Sequence, residues 1–324
     1  MRLVYNSILP PSRSRRNLAP RLVAPFTALL AIVACAPTAP SLTPSPVAAS
    51  VVMESATDSR SGRPIEWSAL VDSLAGADIV FLGEQHDDSS THRLELAVLE
   101  GLAARGRDVT LALEMFERDV QPLVNRYLAG EVSEEEFRAG SRPWPNYQTD
   151  YRPLMEFARQ HGWPVVASNV PRPLASAVGR EGLSMIDTLS AAQRGWVAAD
   201  LSCPDDAYRR KFFDAMAGMG GHGGADSAAA IAMLQRFYQA QCVKDETMAE
   251  AVAAAFAPGR IVVHVNGAFH SDERLGTVSR AVRRRPSARV LVVSFVPAPL
   301  AAGLSPEELA GRGDFVVITV RESP

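Results

Sequence analysis

The stretch FLGEQHDD, residues 81 to 88, crowds three acids, an amide and a histidine onto the end of a short apolar run. Burying Glu84 or His86 without a partner costs several kcal/mol. The same juxtaposition recurs along the chain: Glu114 closes VTLALE, Ser168 and Asn169 close WPVVAS, and His264, Asn266 and His270 fall within or just after IVVHVNGAFH. Carboxylates and imidazoles trade protons, and a cleft that brings them together tunes their pKa values. Taken singly, each has a plainer reading. A glutamate at a strand end caps the next helix or pairs with an arginine, His264 inside a strand pattern is a satisfied core histidine, and His92 and His161 on helices are surface groups. Their coincidence at several run ends is what packing does not require.

The elements that must position these groups are short apolar runs alternating with segments of helical period. DIVFLG, VTLALE, WPVVAS, RIVVHVN, RVLVVSF and FVVITV read as strands buried on both faces. Between them, residues 90–106, 151–162 and 271–286 repeat apolar side chains at three- and four-residue spacing and read as helices. Ser271 is the expected N-cap of the last, and Gly106 and Gly162 are the expected stops of the first two. This alternation predicts an α/β fold with a largely parallel central sheet flanked by helices. In such sheets ligands bind outside the carboxyl ends of the strands, where the polar groups fall. Residues from about 115 to 260 are mostly helical in period, with one strand among them, and read as a helical insertion or subdomain. Residues 215–226, AMAGMGGHGGAD, read as a glycine-rich loop around His222.

No H-E-x-x-H or G-x-S-x-G spacing occurs, and Gly218, Gly220 and Gly223, which have the G-x-G-x-x-G spacing, follow no strand-like run and so form no dinucleotide turn; a zincin, a serine hydrolase and a Rossmann dehydrogenase are disfavoured. The composition is that of a globular chain: 324 residues, 47% hydrophobic, 21% charged, formal net charge -3. Its first 35 residues carry five arginines ahead of an uncharged run, Leu22 to Ala34, too short to span a bilayer. They read as a signal peptide ending in IVAC, which resembles a bacterial lipobox with Cys35 as the lipidated residue. Residues 36–50, rich in Pro, Ser, Thr and Ala, read as a tether, and 51–324 as the mature domain. SRRNL at 14–18 weakly resembles a twin-arginine export signal. Losing the leader leaves 28 basic against 36 acidic residues, about -8, which disfavours a nucleic-acid partner. Cys203 and Cys242 remain, free to pair in an oxidising compartment, with no sequence signal for their separation.

VFLGEQHDDSSTHRLELAVLEGL, LALEMFERDVQPLVNRYLAG, WPNYQTDYRPLMEFARQHGWPVVASNVPR, QAQCVKDETMAEAV and HVNGAFHSDERLGT, in that order over roughly 65–296, together resemble the ChaN family of haem-binding lipoproteins, in the Tiki and erythromycin-esterase-like superfamily. The resemblance implies an α/β fold with a helical insertion, a lipid-anchored place in the cell envelope, preferably the outer membrane facing the periplasm, and haem binding linked to iron uptake. It further implies a dimer with two haems face to face, liganded by tyrosine and histidine, and an outer-membrane haem receptor as a possible partner. The positions that offer such groups are Tyr147, Tyr151 and Arg152 in WPNYQTDYRPL and His222 in the glycine-rich loop. Tyr147, beside Pro145 and Asn146, is expected to be the freer phenol.

The hydrolytic members of that superfamily resemble the chain in Gly83 to His86, Glu114 and Gly267 to His270. This implies an alternative: a metal-dependent hydrolase using Glu84, His86, Glu114 and His270, with His86, Glu114 and His270 holding a divalent metal. A non-catalytic envelope scaffold is the remaining reading.

Overall fold

A computed structural model describes residues 53–219 and 228–320. Its eight strands, β1 (Met53–Asp58), β2 (Arg63–Pro64), β3 (Ile79–Glu84), β4 (Asp108–Glu117), β5 (Val165–Asn169), β6 (Arg260–Gly267), β7 (Val290–Pro297) and β8 (Phe315–Thr319), form one sheet in the order β2-β1-β8-β7-β3-β6-β4-β5. The six from β8 to β5 are parallel; β1 joins β8 antiparallel and β2 turns back on β1. All six expected strands are present. The helices of eight residues or more are α1 (Trp67–Ala75), α2 (Ser89–Ala104), α3 (Gln121–Leu128), α4 (Glu134–Ser141), α5 (Arg152–Gln160), α6 (Arg172–Glu181), α7 (Ala207–Met219), α8 (Ala228–Ala255) and α9 (Gly276–Arg284).

Successive strand side chains alternate between faces, and the core divides accordingly. Val80, Leu82, Leu111, Leu113, Val263 and Val265 pack with residues of α1 to α5, whereas Ile79, Phe81, Ala112, Val262 and Val292 pack with α8 and α9. The sheet is therefore covered on both sides, as near-continuous apolar strands require. The chain leaves β3 outward to β4 and β5, then returns to insert β6 between β3 and β4 before crossing to β7. This reversal beside β3 is the switch point at which parallel sheets open a crevice. The span between β4 and β6 supplies the edge strand β5 as well as helices, and its long helix α8 packs on β5, β4 and β6.

Gly106 and Gly162 end their helices with φ of 66° and 65°, the left-handed conformation that glycine adopts without strain. The helix expected at 271–286 starts later, at Gly276. Glu273 and Arg274 have φ of 63° and 58°, which breaks the helical path, and Ser271 is buried instead of capping. Helix α7 continues through Ala215, Met216 and Ala217 to Met219, into the segment expected to be a loop, because these are good helix formers. Cys203, ahead of α7, is disulfide-bonded to Cys242 in α8.

Candidate functional site

β6 is the centre of the site, because its last residue, Gly267, lies between two carboxylate–imidazole pairs that reach the sheet edge from opposite faces. Glu84 shares the face of Val80 and Leu82; Glu114 shares that of Ala112. On the first side, Glu84 Oε1 bonds His86 Nδ1 and accepts from the Tyr151 hydroxyl at 2.8 Å. On the second, Glu114 Oε2 accepts from the Gly267 amide at 2.8 Å, and Oε1 lies 3.4 Å from His270 Nε2. His270 Nδ1 lies 2.8 Å from Asp245 Oδ1 on α8, which also accepts from Thr277, while Tyr208 donates to Oδ2. Both histidines thus have Nδ1 on a carboxylate, the arrangement that orients an imidazole and strengthens Nε2 as a base or ligand.

His86, His270 and Gly267 line a cleft of about 440 Å³ together with Phe269, Lys211 and Arg312. The His86 side chain is 42% exposed there and packs edge-on to Trp144 at 4.7 Å. A Cβ on Gly267 would meet His86 Nε2 at 2.7 Å, so only glycine admits the ring in this position. Burial alone would raise the Glu84 carboxyl, but bonds to His86 and His92 outweigh it and hold it at about 2. Glu114, equally buried, is kept well below the usual carboxylate range chiefly by His270. Burial opposes a charge on His270, yet Glu114 and Asp245 push it up to about 10. At neutral pH the site without a cation is a set of ion pairs in which Glu114 and Asp245 hold the proton on His270.

The predicted Glu84, His86, Glu114 and His270 are therefore brought together. The neighbouring amide is not among them, since Asn266 is fully buried and bonds His264 Nδ1 and the Gly267 carbonyl. His264 is the core histidine expected: Ser168 Oγ and Asn266 Oδ1 satisfy its two nitrogens at 3.1 and 3.0 Å, and burial lowers its pKa to about 4. His161 is exposed. His92 corrects the expectation of a surface group. It is 4% exposed and faces Glu84 and Glu95, because α2 turns that side onto the end of β3.

Tyr147 is likewise not free in a loop. It belongs to a π-helical turn, Tyr147–Tyr151, and its ring packs on Phe116 and Phe137, with the hydroxyl buried and unbonded. Tyr151 is fully buried against Glu84. Burial raises both phenols above their ordinary pKa. Arg152 pairs with Glu134 at 2.7 Å. His222 lies outside the described residues.

Sequence reasoning missed His92, Glu95 and Asp245. A signal was there: His92 and Glu95 share a helical stripe with the buried Leu99 and Leu102, and Asp245 shares one with Cys242, Ala249 and Val252. An ionisable residue in an apolar stripe is buried with it.

A second cleft, of about 500 Å³, opens where α6, α7 and α8 meet. Phe212, Met216 and Phe237 line it with the cations Arg172, Arg180 and Lys244, none of which makes an ion pair among the described residues. Lys211 and Ala215 face the first cleft and Phe212 and Met216 the second, so α7 separates the two.

An α/β protein with carboxylate–imidazole pairs over the carboxyl edge of a parallel sheet is the class defined so far. The profile of the family described as haem-binding uptake, Tiki superfamily, ChaN matches residues 70–281, and the chain belongs to that family. Protein RETICULATA-RELATED 5, chloroplastic, of Arabidopsis thaliana is 27% identical over an alignment of 252 positions that covers 69% of this chain. The chain spans about a third, 32%, of that relative's length. Among solved structures, that of cofacial haem binding to ChaN of Campylobacter jejuni superposes with a TM-score of 0.61 at 14% identity, over 83% of this chain and 97% of that one. An erythromycin esterase in its open conformation aligns with a TM-score of 0.43 at 12% identity, over 83% and 82%.

Proposed function

We propose that this chain is a haem-binding protein of the cell envelope that serves haem or iron acquisition. The family match over residues 70–281 carries the reading. The cleft between α6, α7 and α8 suits haem in its chemistry, since apolar side chains can cover the macrocycle while Arg172, Arg180 and Lys244 receive the two propionates. Bound haem supplies an iron centre that takes axial ligands from the protein. In this chain Met216 offers a thioether at the cleft, and His222, between α7 and α8 in sequence, offers an imidazole. The buried Tyr147 and Tyr151 are set aside as ligands, because a tyrosinate would have to form beside Glu84 or inside the core. Lipidation at Cys35, a tether, an outer-membrane site, a dimer when haem is bound and delivery from a membrane receptor complete the proposal. The Cys203–Cys242 disulfide supports an oxidising compartment. Titration with haemin tests it: saturable binding with a shifted Soret band is expected, and a spectrum that never departs from free haemin would refute it.

A metal-assisted hydrolase at Glu84, His86, Glu114 and His270 is the second reading. It is favoured by one observation, the two imidazoles with carboxylate-bound Nδ1 on one cleft. A cation there would displace the proton from His270 and lower the pKa of a bound water. Metal that copurifies and is lost in both His86→Ala and His270→Ala would support it; a metal-free protein purified without chelator would count against it.

A further inference from the structure

Behind the rim, where β3 ends against the first turns of α2, Glu84, His92 and Glu95 converge away from solvent, with exposures of 1%, 4% and 0%. Glu84 uses Oε1 for His86 and Tyr151, and its buried Oε2 has no partner besides the His92 ring, 3.1 Å away. Glu95 Oε1 is also buried without a partner. His92 Nε2 lies 3.3 Å from the His86 carbonyl oxygen. A proton held there leaves the neutral ring with its lone pair on Nδ1, and a second-sphere bond of this kind is what a metal-bound histidine makes. That Nδ1 faces Glu84 Oε2 at 3.1 Å and Glu95 Oε2 at 3.2 Å.

A lone pair against two buried carboxylates is repulsive unless a positive charge lies among them. Protons answer part of this: Glu84 and Glu95 favour one on His92, and burial beside Glu84 favours one on Glu95. One cation, with Glu95 binding through both oxygens, would take the place of both. For metal–ligand bonds of about 2.0 Å, tetrahedral ligand atoms lie about 3.3 Å apart, close to the 3.1 and 3.2 Å found here, and the three ligand atoms all lie within 4.8 Å of one another.

We propose that Glu84, His92 and Glu95 bind one divalent cation of the zinc or manganese class, distinct from any metal held by His86, Glu114 and His270. One imidazole and two carboxylates suit such ions. The cation would tie β3 to α2 and, through the two oxygens of Glu84, fix the carboxylate that orients His86. Enclosed as it is, the ion enters as the chain folds. This inference does not depend on haem binding.

The test refolds the mature protein from chelator-treated denaturant with and without Zn²⁺ or Mn²⁺, then measures bound metal and the thermal midpoint. One equivalent per chain and a raised midpoint are expected, with the metal lost in Glu95→Gln, a near-isosteric change, and in His92→Asn. Retention of metal by folded Glu95→Gln and its loss in His270→Ala would overturn the proposal by moving the ion to the rim. A midpoint that neither metal shifts would also overturn it. Should a variant fail to fold, X-ray absorption of the Zn²⁺-loaded wild type decides: one imidazole in the first shell supports the site, and two or more reject it.

Discussion

His264 is a fully buried neutral ring hydrogen-bonded to Ser168 and Asn266, with a consequence for stability. Its folded pKa of about 4 lies below the ordinary 6.5 because burial penalises the charge. The unfolded chain therefore binds the extra proton first as pH falls, so stability contributed by the neutral ring is full above about 6.5 and lost progressively toward 4. The shift corresponds to roughly 3 kcal/mol. Urea midpoints between pH 7 and 4 should fall in the wild type and fall less in His264→Asn. The two buried phenols predict opposite behaviour. Tyr147→Phe removes a hydroxyl with no partner and should leave stability within about 1 kcal/mol, whereas Tyr151→Phe breaks a bond to the Glu84 carboxylate and should cost about 1.5–3 kcal/mol. Neither change should move the Soret band of the haemin complex; a shift in either would restore that tyrosine as a ligand.

At the scale of elements, the end of β6 decides how the two faces of the sheet meet. Gly267→Ala places a methyl group on His86, at 2.7 Å from Nε2 and 2.9 Å from Cε1, and a swinging imidazole relieves that contact more readily than backbone would. The protein should fold with a thermal midpoint lowered by only a few degrees. His86, raised above 6.5 by its bond to Glu84 against the opposing effect of burial, should titrate lower in the variant by NMR. The strands and the glycine stops of α2 and α5 were legible because periodicity and φ preference are local. The late start of α9 was not. Glu273 and Arg274 carry positive φ although nothing in their residue types asks for it. Gly276 instead passes so close to His270 and Asp245 that a Cβ would lie 2.6 Å from the His270 carbonyl.

Over the whole molecule, the disulfide closes a loop of 39 residues that joins the segment before α7 to α8. Cross-linking a loop of that length constrains the unfolded chain by about 4 kcal/mol, so dithiothreitol or Cys203→Ser should lower the urea midpoint accordingly. Arg172→Glu combined with Lys244→Glu, at the cleft that α7 divides from the rim, should weaken haemin binding by roughly 10-fold or more, since each reverses a charge offered to a propionate. Gel filtration with and without haemin checks the dimer, and an elution unchanged by haemin would remove it from the proposal.

The sequence alone determined the alternation of strand and helix, the parallel sheet and the placing of Glu84, His86, Glu114 and His270 at strand ends, because those properties depend on neighbours along the chain. Which face each group takes was decided only when β6 came to lie between β3 and β4. Strand order is set by contacts between residues far apart in sequence, and no local period encodes it. That order stands Glu84 and Glu114 on opposite faces, brings Asp245 to His270, and turns His92 and Glu95 inward upon Glu84. It also seals Tyr147 and Tyr151 into the core, Tyr147 against Phe116 of β4 and Phe137 of α4, and Tyr151 against His92 of α2.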